Sequence, residues 1–294
     1  MNLKKISFRL NGEPASFEND PDLTALAALR DRLGVLSAKD GCAPQGQCGC
    51  CTVLWNGRPT LSCLRPAASL EGIEVTTLEG LPERERDVLS RSFVEVAGLQ
   101  CGYCIPGIAM RAKALLDRHS NPDEQKIRKS LNAHLCRCTG YVKIVDAMHE
   151  AARHWQGDSL PAPHSGPALI GQSLDRYDGE SCVLGERPYV DDLRVEGMLE
   201  GAVRLADHPR ARVLSIDFGP ALAMDGVQAV LGAADVPGER RVGLIEKDWP
   251  VFVAAGELVH CLASTLAVVA ADTREIARRA AAAVVVEYEV LEPV

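Results

Sequence analysis

Alternation of polar and apolar residues marks the start of the chain. Residues 4–10 alternate, Asn11-Gly12 is a two-residue turn signal, and residues 13–17 alternate again, which predicts a β-hairpin. Leu23, Leu26, Leu29 and Leu33 then recur at helical spacing, with Asp22 placed as the N-cap and Gly34 just past the end. After a cysteine-rich loop, residues 52–55 and 60–63 read as a second hairpin turned at Asn56-Gly57, which folds Cys63 back toward Cys51. From residue 84 to 155 the period becomes helical. Ile108, Leu115 and Leu116 line one segment, Ile127 and Leu131 a second, and Val145, Met148, Ala152 and Trp155 a third. Short loops between such helices imply a compact antiparallel bundle.

Periodicity stops at QGDSLPAPHSGPA, a stretch rich in Pro, Gly and Ser that reads as a linker. Beyond it, residues 198–204, 213–217 and 227–232 are strand-like, and residues 266–271, 273–283 and 284–291 read strand, helix, strand. Asp272 with Glu275 three residues on has the form of a capping box. The expected organisation is a mixed α/β unit at 1–80, a helical unit at 81–156, a linker at 157–178 and a further α/β unit at 179–294.

Composition narrows the function. A chain of 294 residues with 47% hydrophobic content supports about two domains with real cores. Its net charge of -8 and lack of a basic patch argue against nucleic acid as a partner. The N-terminus MNLKKISFRL has no apolar signal core, and no apolar run has the length of a membrane span. A cytoplasmic location is therefore expected, and in a reducing compartment clustered thiols mean metal or redox chemistry rather than disulfides.

Eight of the eleven cysteines fall into two sets of four: Cys42, Cys48, Cys51 and Cys63, then Cys101, Cys104, Cys136 and Cys138. Four thiolates are what a [2Fe-2S] cluster needs, because each tetrahedral iron takes two bridging sulfides and two protein sulfurs. In the loop GCAPQGQCGCC, Gly41, Gly46 and Gly49 suit a backbone that must reach positive φ and aim amides at sulfur. Cys50 is the spare, since choosing it would break the two-residue gap kept by Cys51. The second set is bracketed by helices. Cys101 and Cys104 precede one with Pro106 in its first turn, and Cys136 and Cys138 precede another, with Thr139 as its expected N-cap. Both cysteine pairs thus lie at helix N-termini, whose positive ends suit a negatively charged cluster. Zinc is the competing reading, but structural zinc seldom uses C-x-C as its second pair or a C-x5-C-x2-C loop. Cys182, Cys261 and the spare Cys50 read as free, buried and inert. His134, His149 and His154 show no ligand spacing, and Asp191-Asp192 reads as solvated loop charge. No Walker loop or G-x-G-x-x-G fingerprint is present.

The segments GCAPQGQCGCCTVLWNG, LQCGYCIPGIAM and LCRCTGY closely resemble the iron-sulfur part of molybdenum hydroxylases, the xanthine dehydrogenase and aldehyde oxidase family. The likeness extends through IGQSLDRYDGESCVLGERPYVDDL to AVVAADTREIARRAAAAVVVEYEVLEPV, which resembles the family's hammerhead domain. It implies an α+β multi-domain chain: a β-grasp plant-ferredoxin-like domain, a four-helix-bundle [2Fe-2S] domain, then an α/β hammerhead domain. It also implies two [2Fe-2S] clusters passing single electrons from the second cysteine set, next to a molybdopterin cofactor, to the first and on to a flavin or external acceptor. Gln100, and Cys138 through its backbone, match residues that touch the pterin; taken alone, Gln100 could equally make a structural loop hydrogen bond. The chain stops at Val294, where the family's molybdenum domains begin. The resemblance therefore places molybdenum on a partner chain, with FAD on a further subunit, in a hetero-oligomer that can pair as a dimer. No catalytic residue is expected here. The loop APQGQCGCC leans toward xanthine-dehydrogenase-like members and a purine or other N-heterocycle, with aldehydes and carbon monoxide as the family's other substrates. A stand-alone iron-sulfur carrier or metal-stabilised scaffold is the rival reading, and it leaves the hammerhead-like tail without a purpose.

Overall fold

Two asparagine-glycine turns set the geometry of the N-terminal sheet. Asn11 and Gly12 take φ of 55° and 84°, and Asn56 and Gly57 take 48° and 73°. That left-handed pair is what a two-residue hairpin needs to match the twist of its strands. The computed structural model describes residues 4–157, 159–162, 164 and 170–294, and the chain forms two compact units, one ending at Leu193 and one from Arg194 to Val294. The expected linker falls partly on residues 158, 163 and 165–169, outside the described residues.

In the first unit, β1 (Lys4–Leu10) pairs antiparallel with β2 (Glu13–Asn19). With β3 (Thr52–Trp55), β4 (Arg58–Leu61) and β5 (Glu74–Thr76), the described residues build a five-stranded sheet of order β2-β1-β5-β3-β4, in which β1 and β5 are parallel. Ile6, Phe8, Leu26, Leu29, Val53 and Val75 form its core. The second hairpin is tighter than expected. Its turn sets Trp55 opposite Arg58, so the return strand ends at Leu61 and Cys63 lies in the 3-10 turn Ser62–Leu64. The leucine-rich helix is α1 (Ala25–Ala27) continued by a π turn over Ala28–Arg32. Its cap is Thr24 rather than Asp22, because the Thr24 hydroxyl accepts from the Ala27 amide at 3.1 Å.

Four helices follow among the described residues: α2 (Glu83–Glu95), α3 (Ile105–Leu116), α4 (Glu124–Ser130) and α5 (Val142–Trp155). Phe93, Ile108, Met110, Leu116, Ile127 and Met148 meet in one buried core. After the linker, α6 (Gly179–Val183) and the turn Val190–Asp192 return to the first unit rather than opening the second.

The second unit holds β6 (Glu200–Leu205), β7 (Ala211–Asp217), α7 (Gly219–Leu222), β8 (Val227–Leu231), β9 (Arg241–Val242), β10 (Trp249–Pro250), β11 (Leu258–Val259), β12 (Thr265–Ala271), α8 (Arg274–Ala283) and β13 (Val285–Val290). The strands form sheets of order β6-β12-β8 and β11-β7-β13, with β9 paired to β10. Thr273, not Asp272, caps α8: its hydroxyl accepts from Ile276 at 3.3 Å, while Asp272 accepts from Gln228 at 2.8 Å. Cys261 is half-buried, not in the core. Among the described residues no helix is long and apolar enough to cross a membrane.

Candidate iron-sulfur centres

Cysteine loops become cluster sites only if thiols pair and amides face them. In the first loop the thiols pair as Cys42 with Cys48 and Cys51 with Cys63. The amides of Gly41 and Cys50 favour the Cys48 thiolate, that of Gly46 favours Cys63, and that of Cys63 favours Cys51. Cys50 directs its S–H at the Cys48 carbonyl at 3.7 Å, and the nearness of its side chain does most to bring the Cys48 thiol down to about 5. Burial pushes the Cys51 and Cys63 thiols up. Gly46 and Gly49 reach positive φ as expected, whereas Gly41 does not. Its constraint is space, since a Cβ there would lie 3.0 Å from the Cys48 sulfur and 3.1 Å from that of Cys50.

The second loop has the same two-by-two arrangement. Cys104 pairs with Cys136 and Cys101 with Cys138. Burial raises the Cys104 thiol. Burial also works against the Cys136 thiolate, but the Thr139 hydroxyl and the amides of Thr139 and Cys138 outweigh it and leave that thiol lowered. Thr139 is therefore a sulfur partner, with its oxygen 3.1 Å from Cys136, and not the cap of α5; Tyr141, at φ 68°, occupies the cap position. The Tyr141 hydroxyl accepts from the Cys136 amide at 2.9 Å and donates to the His134 carbonyl at 3.0 Å. The Cys104/Cys136 pair is buried and the Cys101/Cys138 pair exposed, with exposed Gln100 beside it.

The two loops touch through backbone. The Leu135 amide donates to the Cys48 carbonyl at 3.0 Å, joining the residue before Cys136 to a cysteine of the first loop. Gly49 makes this approach possible, because a Cβ there would sit 2.4 Å from the Ala133 carbonyl oxygen. His134 fills the junction: its Nε2 lies 3.2 Å from both the Thr52 hydroxyl and the Gly107 carbonyl, and its Nδ1 is buried without a partner. A carbonyl can only accept, so the neutral Nε2–H form fits, and burial with Arg111 nearby holds the imidazole down to about 4.

Thiols that meet two at a time suit a two-iron centre, because each iron takes only two protein sulfurs. Among the described residues no group of three or more His, Cys, Asp or Glu side chains gathers as a single-ion site. The surrounding amides supply the hydrogen bonds that thiolate-bound sulfur needs. Sequence reasoning missed several supports of these loops: Tyr103, Thr139 as a sulfur partner, Tyr141, and an ion cluster of Arg30, Lys39 and Asp192. The last corrects the solvated reading of Asp192, which is 7% exposed and lies 2.6 Å from Lys39 and 2.8 Å from Arg30.

A ferredoxin-like sheet and a helical bundle that each carry such a loop mark a protein with two [2Fe-2S]-binding domains. Comparison with known proteins agrees: residues 8–75 match the 2Fe-2S iron-sulfur cluster binding domain family, residues 77–149 the [2Fe-2S] binding domain family, and residues 184–292 the aldehyde oxidase and xanthine dehydrogenase a/b hammerhead domain. The chain is 41% identical over 155 residues to the nicotinate dehydrogenase small FeS subunit of Eubacterium barkeri, covering 52% of this chain and 96% of that one. It is 32% identical to the aldehyde oxidoreductase of Megalodesulfovibrio gigas over 96% of this chain and 33% of that one. The crystal structure of the aldehyde oxidoreductase from Desulfovibrio desulfuricans superposes with a TM-score of 0.86 at 30% identity, over 99% of this chain and 34% of that one. The chain belongs to the molybdenum hydroxylase family of oxidoreductases, as an iron-sulfur segment joined to a hammerhead domain. It spans about a third of the length of the aldehyde oxidoreductases that it matches from end to end.

Proposed function

We propose that Cys42, Cys48, Cys51 and Cys63 hold one [2Fe-2S] cluster, that Cys101, Cys104, Cys136 and Cys138 hold the other, and that this pair is the electron path of a molybdenum hydroxylase. The observation that carries the reading is the joining of two doubly paired thiol loops by the Leu135–Cys48 hydrogen bond. When bound, each cluster supplies a one-electron acceptor. The chain's own residues fix the sulfurs, aim amides at them and keep the Cys104/Cys136 side away from water. Gln100 and the Cys138 backbone, on the exposed rim of the second loop, are the proposed contacts to a molybdopterin cofactor on a molybdenum-binding partner. Electrons would leave by the first loop toward a flavin subunit or another acceptor.

For the whole assembly the proposed reaction is hydroxylation of an electron-poor carbon in an N-heterocycle, of which purines are one class. Likeness to the nicotinate dehydrogenase subunit supports this. The end-to-end likeness to aldehyde oxidoreductase favours an aldehyde as the second reading. Native purification tests the assignment: molybdenum should co-elute with the chain and its iron, and a chain that carries iron but elutes free of molybdenum would contradict it.

Ligand choice within QCGCC has its own test. Cys51→Ala is expected to abolish the paramagnetic signal of the first cluster, while Cys50→Ala retains both signals. Loss of the first signal in Cys50→Ala, with retention in Cys51→Ala, would reverse the assignment.

A further inference from the structure

The stretch after the linker does more than lead into the hammerhead domain. Residues 184–193 lie within the hammerhead family match, yet they pack with the first unit. Here Tyr189 reaches the second cysteine loop, and its hydroxyl donates to the Cys101 carbonyl at 2.6 Å. The fit is close on both sides. Gly102, at φ +86°, has no room for a Cβ, which would lie 2.9 Å from the Tyr189 hydroxyl oxygen and 2.9 Å from the Cys182 Cβ. Tyr103 meets the Tyr189 ring edge-on at 5.0 Å between centroids, and its own hydroxyl donates to the Asp40 carbonyl at 2.8 Å.

Tyr189 is itself held from behind. Its amide donates to Asp192 at 2.9 Å, and Asp192 is fixed by Lys39 and Arg30 from the ferredoxin-like part. The Lys39 ammonium also lies 5.2 Å from the centre of the Tyr189 ring, and the Arg187 guanidinium 5.5 Å. A hydroxyl anchored this firmly can set the orientation of the peptide that it touches.

We propose that Tyr189 is a positioning residue for the second cluster, fixing the Cys101–Gly102 peptide through its hydrogen bond to the Cys101 carbonyl. A trans peptide points its N–H opposite to its C=O, so pinning the carbonyl also fixes the Gly102 amide in a loop whose sulfurs are served by amides. The hydroxyl proton also places the positive end of a dipole beside Cys101. Hydrogen bonding around the sulfurs and local charge are the levers by which a protein sets cluster potentials, and a positive dipole favours the reduced, more negative state. The segment beyond the linker thereby completes the cluster environment from outside both cysteine domains.

This rests on the cluster assignment above, and the experiment separates the two. The full chain in its native complex is titrated with dithionite and read by low-temperature EPR, as wild type and as Tyr189→Phe, which keeps the ring and removes only the hydroxyl. In wild type, the absence of two cluster signals would sink the cluster assignment itself. Given two signals, Tyr189→Phe is expected to lower the midpoint of the second cluster, identified as the signal lost in Cys104→Ser, while the first keeps its wild-type midpoint as an internal control of folding. Unchanged midpoints at both clusters would overturn the role of Tyr189. So would loss of both signals together, because the hydroxyl would then serve the fold at large and not this loop.

Discussion

Asp192→Ala is expected to cost the first unit about 3–5 kcal/mol, the usual result of stripping one partner from a buried ion pair. Lys39 is fully buried, and Asp192 is its only carboxylate partner among the ion pairs of the described residues, at 2.6 Å. Without it, an ammonium would be left in the interior with the Gly185 carbonyl at 3.4 Å and the face of the Tyr189 ring, and no carboxylate to pair with among the described residues. Arg30 would suffer less, because it also reaches the Asp191 carboxylate at 3.1 Å. Lys39→Met should therefore be milder than Asp192→Ala, since Asp192 would keep Arg30 and the Tyr189 amide. The pH dependence has a defined sign. Burial works against the Asp192 carboxylate, but hydrogen bonds from Lys39, Tyr189 and Arg30 outweigh it and hold its pKa below the ordinary 3.8. Its contribution is complete above 3.8 and is lost as pH falls through the lowered folded value. Thermal unfolding of wild type and Asp192→Ala across an acid series checks this: the gap should be full at neutral pH and close at the acid end. A gap that widened toward acid would contradict the pairing.

Cys104→Ser should remove the second cluster as a unit. Cys104 is 7% exposed and pairs with Cys136 on the buried side of the loop. A serine there offers an alcohol of high pKa in place of a thiolate, in a setting that already disfavours negative charge through burial. About half of the iron should be lost with one of the two EPR signals, because a [2Fe-2S] cluster needs all four thiolates. The first cluster should persist, since Cys104 is not among its four thiols and its Cys51 and Cys63 are held in the core of the ferredoxin-like sheet, while Cys48 shares the helical core with Cys104. Electron flow from the proposed molybdenum partner should stop. Full iron content with both signals intact in Cys104→Ser would contradict the ligand set.

What was legible in the sequence was local. The asparagine-glycine turns, the helical stripes and the cysteine spacings each depend on residues a few positions apart, and the resemblance supplied the order of domains. Charge was misread where the partner was distant: Asp191-Asp192 has the composition of a solvated loop, and the cations that bury Asp192 lie at Arg30 and Lys39, on the far side of two cysteine loops in sequence. Caps slipped by one or two positions, from Asp22 to Thr24 and from Asp272 to Thr273, because an aspartate and a threonine close together both carry capping oxygens and tertiary contacts choose between them. Asp272, engaged by Gln228, shows how. Thr139 had the right chemistry and the wrong role, since the left-handed Tyr141 takes the helix start and frees the threonine for Cys136. The two-residue strands β9, β10 and β11 are too short to carry a period.

Low-temperature EPR of the natively purified, dithionite-reduced protein, with iron and zinc counted on the same sample, tests the central claim most directly. Two distinct [2Fe-2S] signals and about four irons per chain are the expected result. A single signal would contradict the double-cluster account, and zinc without iron would overturn the electron-transfer reading altogether.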